Sequence, residues 1–260
     1  MKEKPEVLAH SAHGSPGDNT LGGGLRGVER LPEELAPALL VSYVYLENFQ
    51  SYQDQFMYRD WAMDSGAFSA HASGIEVDNE KYLDTCKELL ASDPTLVEVF
   101  ALDVIGDWRG TRRNVERAWE RGVPAIPTYH VGEPWDVLEG LARDYPKIAI
   151  GGAVGMPGKK KIEWAGQCFA RVWPKRIHGL GFGGERAIMA LPFHSVDASN
   201  WEMGPCKYGN WKSFDGDLSW RGSEQNLRAE VEWYLELERK ARIRWRKQME
   251  ELEQLEEDSA

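Results

Sequence analysis

The chain has 260 residues, the size of one large domain, and single (β/α)8 barrels commonly run to about 250 residues. Hydrophobic residues make up 42% and charged residues 28%, which excludes a wholly disordered or fibrous chain. With 31 basic against 42 acidic residues the net charge is −11, so the chain does not coat nucleic acid through its overall charge, and only a local basic patch stays open. No apolar run reaches the ~20 residues of a membrane helix. The polar, Gly-rich start, Met1 to Arg30, is unlike a signal peptide. A cytoplasmic location with no membrane partner is therefore expected. Cys86, Cys168 and Cys206 lie far apart and form no CxxC pair, so neither a disulfide framework nor a zinc ribbon is predicted, and buried or idle thiols are expected.

Residues 1–30 contain SAHGSPGDNTLGGG, which has almost nothing to bury and predicts a disordered N-terminal arm. From Leu39 onward, short β-rich apolar runs alternate with amphipathic segments, the βαβα rhythm of a parallel sheet. Strands are predicted at Leu39 to Leu46, Trp61 to Phe68, Leu96 to Ile105, Val123 to His130, Lys147 to Gly155, Arg176 to Gly183 and Phe193 to Trp201. A weaker eighth falls at Tyr208 to Phe214. Helices are predicted between them at Asn79 to Ser92, Gly110 to Arg121, Pro134 to Tyr145, Lys159 to Trp173 and Gly184 to Ala190. An open doubly wound sheet usually has fewer strands and a GxGxxG turn after the first, and no such turn follows Leu46. The expected fold is therefore α/β, a (β/α)8 TIM-type barrel over residues 31–222. Residues 223–260 form a long charged C-terminal helix whose first half closes the barrel.

In such a barrel the active site lies at the C-terminal ends of the strands. Those ends carry Asp64-Ser65-Gly66, Asp103, His130, Gly151-Gly152, Gly181 with Gly183, and Asp197. Three aspartates ending apolar strands are costly to bury unpaired, so a metal, a sugar or a nitrogen-rich base should meet them. Taken singly, each aspartate is equally an ordinary turn or cap residue, and His130 is equally a packed histidine. Phe68 and Tyr129 are candidates to stack on a base, with core packing as the alternative. Two basic clusters follow the predicted site, Arg109, Arg112 and Arg113 in WRGTRR and Lys159, Lys160 and Lys161 in GKKK. They are candidate nucleic-acid contacts or solvated faces. A third basic stretch, Arg239 to Lys247, is followed by acidic EELEQLEED and reads as an interaction helix or a plain surface helix.

DSGAF (Asp64 to Phe68), ALDV (Ala101 to Val104), AIGGAVG (Ala149 to Gly155), GLGFGG (Gly179 to Gly184) and SVDASNW (Ser195 to Trp201) occur in one fixed order. In that order, over roughly Leu39 to Phe214, the chain resembles the guanine transglycosylase superfamily, the tRNA-guanine transglycosylases and their relatives. The tRNA-modifying members carry a CxCxxC zinc site with a distant His, and nothing here matches it. The shorter, zinc-less chain is most similar to the phage-encoded branch that exchanges guanine in DNA for a 7-deazaguanine, a queuosine-related base. For a phage-encoded chain the location is the host cytoplasm. The resemblance implies a pentosyltransferase that needs no cofactor and no metal, with DNA and a free 7-deazaguanine base as partners. Asp197 would be the nucleophile at C1′, giving a covalent glycosyl-enzyme as in retaining glycosidases. Asp64 would bind the base edge and move its proton, and Asp103 would accept from the guanine amidine edge. Ser65, Gly66, Phe68, His130, Gly151, Gly152 and Ala153 would complete the base site; family members often carry Gln where His130 stands. The alternatives are a zinc-less tRNA-guanine transglycosylase, a non-catalytic nucleic-acid-binding partner subunit, and an unrelated hydrolase or lyase holding a divalent metal between Asp64, Asp103 and Asp197. A homodimer is left open.

Overall fold

Short apolar runs too brief for helices become strands when neighbours on both sides complete their hydrogen bonds, and here they form one eight-stranded sheet. In the computed structural model the structure describes residues 6–11, 36–55, 58–199 and 224–257. The strands are β1 (Glu6–Ser11), β2 (Ala38–Ser42), β3 (Trp61–Asp64), β4 (Leu96–Val99), β5 (Thr128–His130), β6 (Lys147–Gly151), β7 (Arg176–Gly179) and β8 (Ser195–Ala198). Their order is β4-β3-β2-β1-β8-β7-β6-β5, and every pair is parallel. Beyond the two outer strands, Phe100 and Ile126 form an isolated parallel bridge. Ala101 N donates to Ile126 O at 2.9 Å and Ile126 N to Val99 O at 2.8 Å.

Eight α-helices lie among the described residues: α1 (Leu46–Tyr52), α2 (Ala67–Ser73), α3 (Asn79–Ser92), α4 (Trp108–Glu120), α5 (Trp135–Asp144), α6 (Gly158–Val172), α7 (Glu185–Ala190) and α8 (Glu224–Glu257). Asp78 caps α3 by accepting from Glu80 N and Lys81 N, and Asp107 caps α4 by accepting from Arg109 N, which satisfies backbone donors that a helix start leaves orphaned. α8 packs on α7 and β1, with Tyr234, Leu237 and Ala241 turned inward. Its Trp245 indole donates to Ile188 O at 2.8 Å. Among the described residues no helix is long and apolar enough to cross a membrane.

Two expectations are corrected. Residues 6–11, placed in a disordered arm, form β1 between β2 and β8, because backbone pairing to two neighbours distant in sequence overrides weak local character. That strand fills the eighth place in the described sheet, while Tyr208 to Phe214 lies outside the described residues. Finally, the strands end earlier than predicted, except β5, which ends at His130 as expected. The first predicted strand breaks at Ser42, followed by a 3-10 turn at Tyr43–Tyr45 and α1, and Phe68 belongs to α2. Apolar residues continue past the last ladder bond, some of them buried, as Leu46, Leu102 and Phe182 are, and others exposed, as Val104, Ile105 and Val154 are, and a pattern of apolarity alone cannot distinguish either from pairing.

Side chains alternate across the sheet. Trp61, Met63, Val99, Tyr129, Ile148, Ile150, Ile177 and Val196 pack against helix residues such as Leu83, Val115, Leu138 and Phe169 in the main core. Full burial of such a side chain stabilises by about 1.5–3 kcal/mol. The opposite face carries a separate, smaller cluster of Ala38, Leu40, Ala62, Phe100, Ile126 and Ala149, with Leu180 packed on it. At the strand starts this second face is charged: Lys147 Nζ lies 2.5 and 2.7 Å from the two Glu98 carboxylate oxygens. Toward the strand ends it turns polar, and there the candidate residues converge.

Candidate active site

Strand register dictates which polar residues meet. Thr128 pairs with Ala149, Ala149 with His178 and His178 with Ser195, so these four form one row on the face of the small cluster. Two residues further along each strand stand His130, Gly151, Leu180 and Asp197, and beside them the register couples Ser42 to Asp64. All strands being parallel, this second row is the C-terminal edge of the sheet.

Asp197 is 5% exposed, and its Oδ1 accepts from the Gly181 backbone N–H at 2.5 Å. Gly181 turns that N–H toward the carboxylate in the left-handed region, at φ +70°, where other residues are strained. Its carbonyl accepts from Lys161 Nζ at 2.5 Å, and the ammonium lies 4.4 Å from the centre of the Phe182 ring. One residue, Gly181, thus links Asp197 to Lys161. Burial holds the Lys161 ammonium below its ordinary range, against the pull of Asp197. Beneath Asp197, the fully buried His178 places Nε2 3.5 Å from Asp197 Oδ1, and this nitrogen makes no hydrogen bond. Its Nδ1 is 2.8 Å from Ser195 Oγ. Burial depresses the His178 pKa, so the ring is neutral.

Across the sheet, His130 is clamped between two carboxylates, with Nε2 3.2 Å from Asp103 Oδ2 and Nδ1 3.1 Å from Glu133 Oε1. Burial opposes a charged ring, but the hydrogen bonds to Asp103 and Glu133 prevail and raise its pKa to about 10. Burial also raises the Asp103 carboxyl, against the opposing influence of His130, so both members of the pair favour a proton. Asp103 Oδ1 and Glu133 Oε2 are buried acceptors that make no hydrogen bond, as are Ser42 Oγ and Thr128 Oγ1 on the same face. An unmatched buried polar group costs about 1–3 kcal/mol, and such groups at a strand-end edge are where a polar ligand fits.

The remaining predicted residues divide. Asp64 Oδ2 accepts from Gly66 N at 2.9 Å, a turn that holds the carboxylate at the edge; Ser65 and Gly66 are buried beneath it. Gly152 sits against His130, since a Cβ there would lie 3.2 Å from His130 Cβ; Gly151 and Ala153 are buried. Phe68 is 62% exposed. Tyr129 instead packs between Trp135 and Trp164 and donates its hydroxyl to Glu133 O at 2.7 Å, so its ring belongs to the helix-side core and not to a stacking platform. The basic clusters are also split by neighbouring charges. Arg112 is bound to Glu116 at 2.9 Å and Asp144 at 2.8 Å, which engages it within the helix layer. Arg113 lies 3.6 Å from Asp107, Lys159 3.8 Å from Glu163, and Arg109 over the Trp108 ring. Arg109 and Lys160 are exposed. Lys161 faces the site itself.

His178, Ser195, Ser42, Thr128 and Glu133 were not singled out from sequence. Strand parity was the available signal for His178, which stands two residues before Leu180 on the inward face, and the i, i+3 spacing of His130 and Glu133 was the signal for the clamp. Among the described residues no group of three or more His, Cys, Asp or Glu side chains is arranged to hold a metal ion. Cys86 and Cys168 are buried thiols pushed up to about 12 by burial; Cys206 lies outside the described residues. Compared with known proteins, the chain matches no family model and no curated relative.

Proposed function

We propose that the chain is a base-exchange glycosyltransferase that replaces guanine in DNA with a 7-deazaguanine, on a sheet closed into a (β/α)8 barrel. The Phe100–Ile126 bridge between the outer strands supports closure, and helices follow most of the strands in alternation. The observation that carries the function is the pairing, along one strand-end edge, of a buried carboxylate, Asp197, with a carboxylate-imidazole-carboxylate clamp that still has two unmatched acceptors. The first suits attack at a sugar carbon. The second suits the N–H-rich edge of a purine.

In this reading a flipped deoxyguanosine enters the edge, at an unstacking cost of a few kcal/mol. Asp197 attacks C1′, the C1′–N9 bond breaks as the C1′–O bond forms, and guanine departs after taking up a proton from Asp64. The incoming base then gives a proton back to Asp64 and attacks C1′ from the opposite face, releasing Asp197 and restoring the β configuration. Asp103 and Glu133 receive the N–H groups of the base, while the backbone of Gly151, Gly152 and Ala153 meets its carbonyl or 7-substituent. Lys159, Lys160 and Arg109 are exposed beside the edge and suit phosphate. One glycosidic bond replaces another, so no energy source is needed.

The test is incorporation of labelled guanine, and then of 7-cyano- or 7-aminomethyl-7-deazaguanine, into duplex DNA and into unmodified tRNA, with Asp197→Ala alongside. Label is expected in DNA and is lost in the variant. Label in tRNA alone would move the substrate to RNA, and no label in either polymer from folded protein would sink the exchange reaction.

A further inference from the structure

α8 carries its charge in blocks. Arg239, Lys240, Arg242, Arg244, Arg246 and Lys247 stand together with no acid among them, and residues 250–258 follow with Glu250, Glu251, Glu253, Glu256, Glu257, Asp258 and no cation. The upstream cations are used locally: Arg239 and Lys240 lie 2.7 and 3.9 Å from Glu236, and Arg242 pairs with Glu238. Arg244, Arg246, Lys247, Glu250 and Glu251 are exposed and take part in no ion pair among the described residues. Trp245 bonds to Ile188 O, and Met249 and Leu252 are buried, so the helix has an inner side and leaves its charged side outward. That outward side also presents Ile243, which is 62% exposed.

We propose that this outward face of α8 pairs with the same face of a second copy of the chain, the two helices running antiparallel about a two-fold axis near Gln248 and Met249. The inference is independent of the base-exchange reading. Two-fold symmetry makes a patch self-complementary only if its two halves complement each other, and here one half is basic and the other acidic. An antiparallel crossing at Gln248 sets Arg246 and Lys247 of each copy against Glu250 and Glu251 of the other, with Ile243 covered between them. Opposite charges across paired helices set orientation and partner choice in this way. A nucleic-acid phosphate would match only the basic half and would be repelled by the acidic turn beside it. A second copy satisfies both.

Sedimentation velocity on the full chain at low ionic strength tests the pairing. A species of twice the 29.5 kDa chain mass is expected to gain population with concentration. It is expected to dissociate in about 1 M NaCl, where the screening length falls to about 3 Å. Arg246→Glu with Lys247→Glu, and separately Glu250→Lys with Glu251→Lys, should each sediment as a monomer. An equimolar mixture of the two double variants should regain the dimer, because each then offers what the other lacks. A wild-type chain that stays monomeric, a mixture that stays monomeric while both variants remain folded, or a dimer indifferent to salt would overturn the proposal. So would a monomeric chain that retains duplex DNA through Arg246 and Lys247. Should either double variant fail to fold, the concentration and salt dependence of the wild-type mass decides.

Discussion

His178 Nε2 stands 3.5 Å from Asp197 Oδ1 with no hydrogen-bond partner of its own. Since Nδ1 is 2.8 Å from Ser195 Oγ, the arrangement fits a neutral ring that accepts from the serine hydroxyl at Nδ1 and turns Nε2–H toward the carboxylate. At 3.5 Å that N–H acts on Asp197 through its charge and not through a hydrogen bond, and in the base-exchange reading His178 would be a positioning residue that does not touch the reacting atoms. His178→Phe, which retains the edge contact with Phe100, should lower the rate of guanine exchange about tenfold or more, the equivalent of about 1–3 kcal/mol. KM for the base should hardly move. A kcat within twofold of wild type would show that His178 does not position the carboxylate.

Gly183 admits no side chain. A Cβ there would overlap Ala198 Cβ and lie 2.6 Å from Asp197 O, and because the obstacle is the backbone of β8 it cannot swing aside. Gly183→Ala should therefore shift the strand that carries Asp197, costing about 1–3 kcal/mol as overpacking does and reducing exchange more than stability. Urea unfolding measures the first and the labelled-guanine assay the second. Gly184→Ala, where a Cβ meets nothing within 4 Å, is the matched control.

What was legible in the sequence followed from local pattern. The runs at Lys147 and Arg176 are apolar enough to read as buried strands, and α3 occupies Asn79–Ser92 as its Asp78 cap and spacing imply. The strand-end aspartates were readable too, because a carboxylate ending an apolar run is costly unless something meets it. β1 was not readable, since EVLAHS becomes a strand only through β2 and β8, both remote in sequence. The environment of Asp197 was hidden for the same reason. His178 and Ser195 acquire meaning only when register sets them side by side, and Lys161 reaches Gly181 across 20 positions of chain. Arg112 likewise meets a partner remote in sequence, Asp144, which lies on another helix.

The clamp on His130 gives the fold a pH dependence of definite sign. Its pKa rises from an ordinary 6.5 to about 10 in the folded chain, so folding favours the proton. The stabilisation is complete below about 6.5 and is lost as pH climbs through about 10. Asp103, also raised, acts in the same direction. Midpoint urea concentrations followed from pH 6 upward should fall for the wild type and fall less for His130→Gln. Parallel curves for the two proteins would mean that the imidazolium is not held by Asp103 and Glu133.

At the opposite end of the same face, Lys147 is 8% exposed and bound to both oxygens of Glu98. Burial would raise the Glu98 pKa, yet the ammonium of Lys147 holds it below its ordinary range. A lowered carboxylate stabilises the fold above its unfolded pKa of about 4.5 and loses that contribution as pH falls through the lower folded value. Removing one partner strands the other, so Glu98→Leu should cost about 3–5 kcal/mol at neutral pH, and Lys147→Met a similar amount. The double substitution, which leaves neither charge behind, should recover much of the loss. Thermal or urea unfolding of the four proteins gives the coupling directly, and additive single effects would mean that water, and not the partner, compensates each charge.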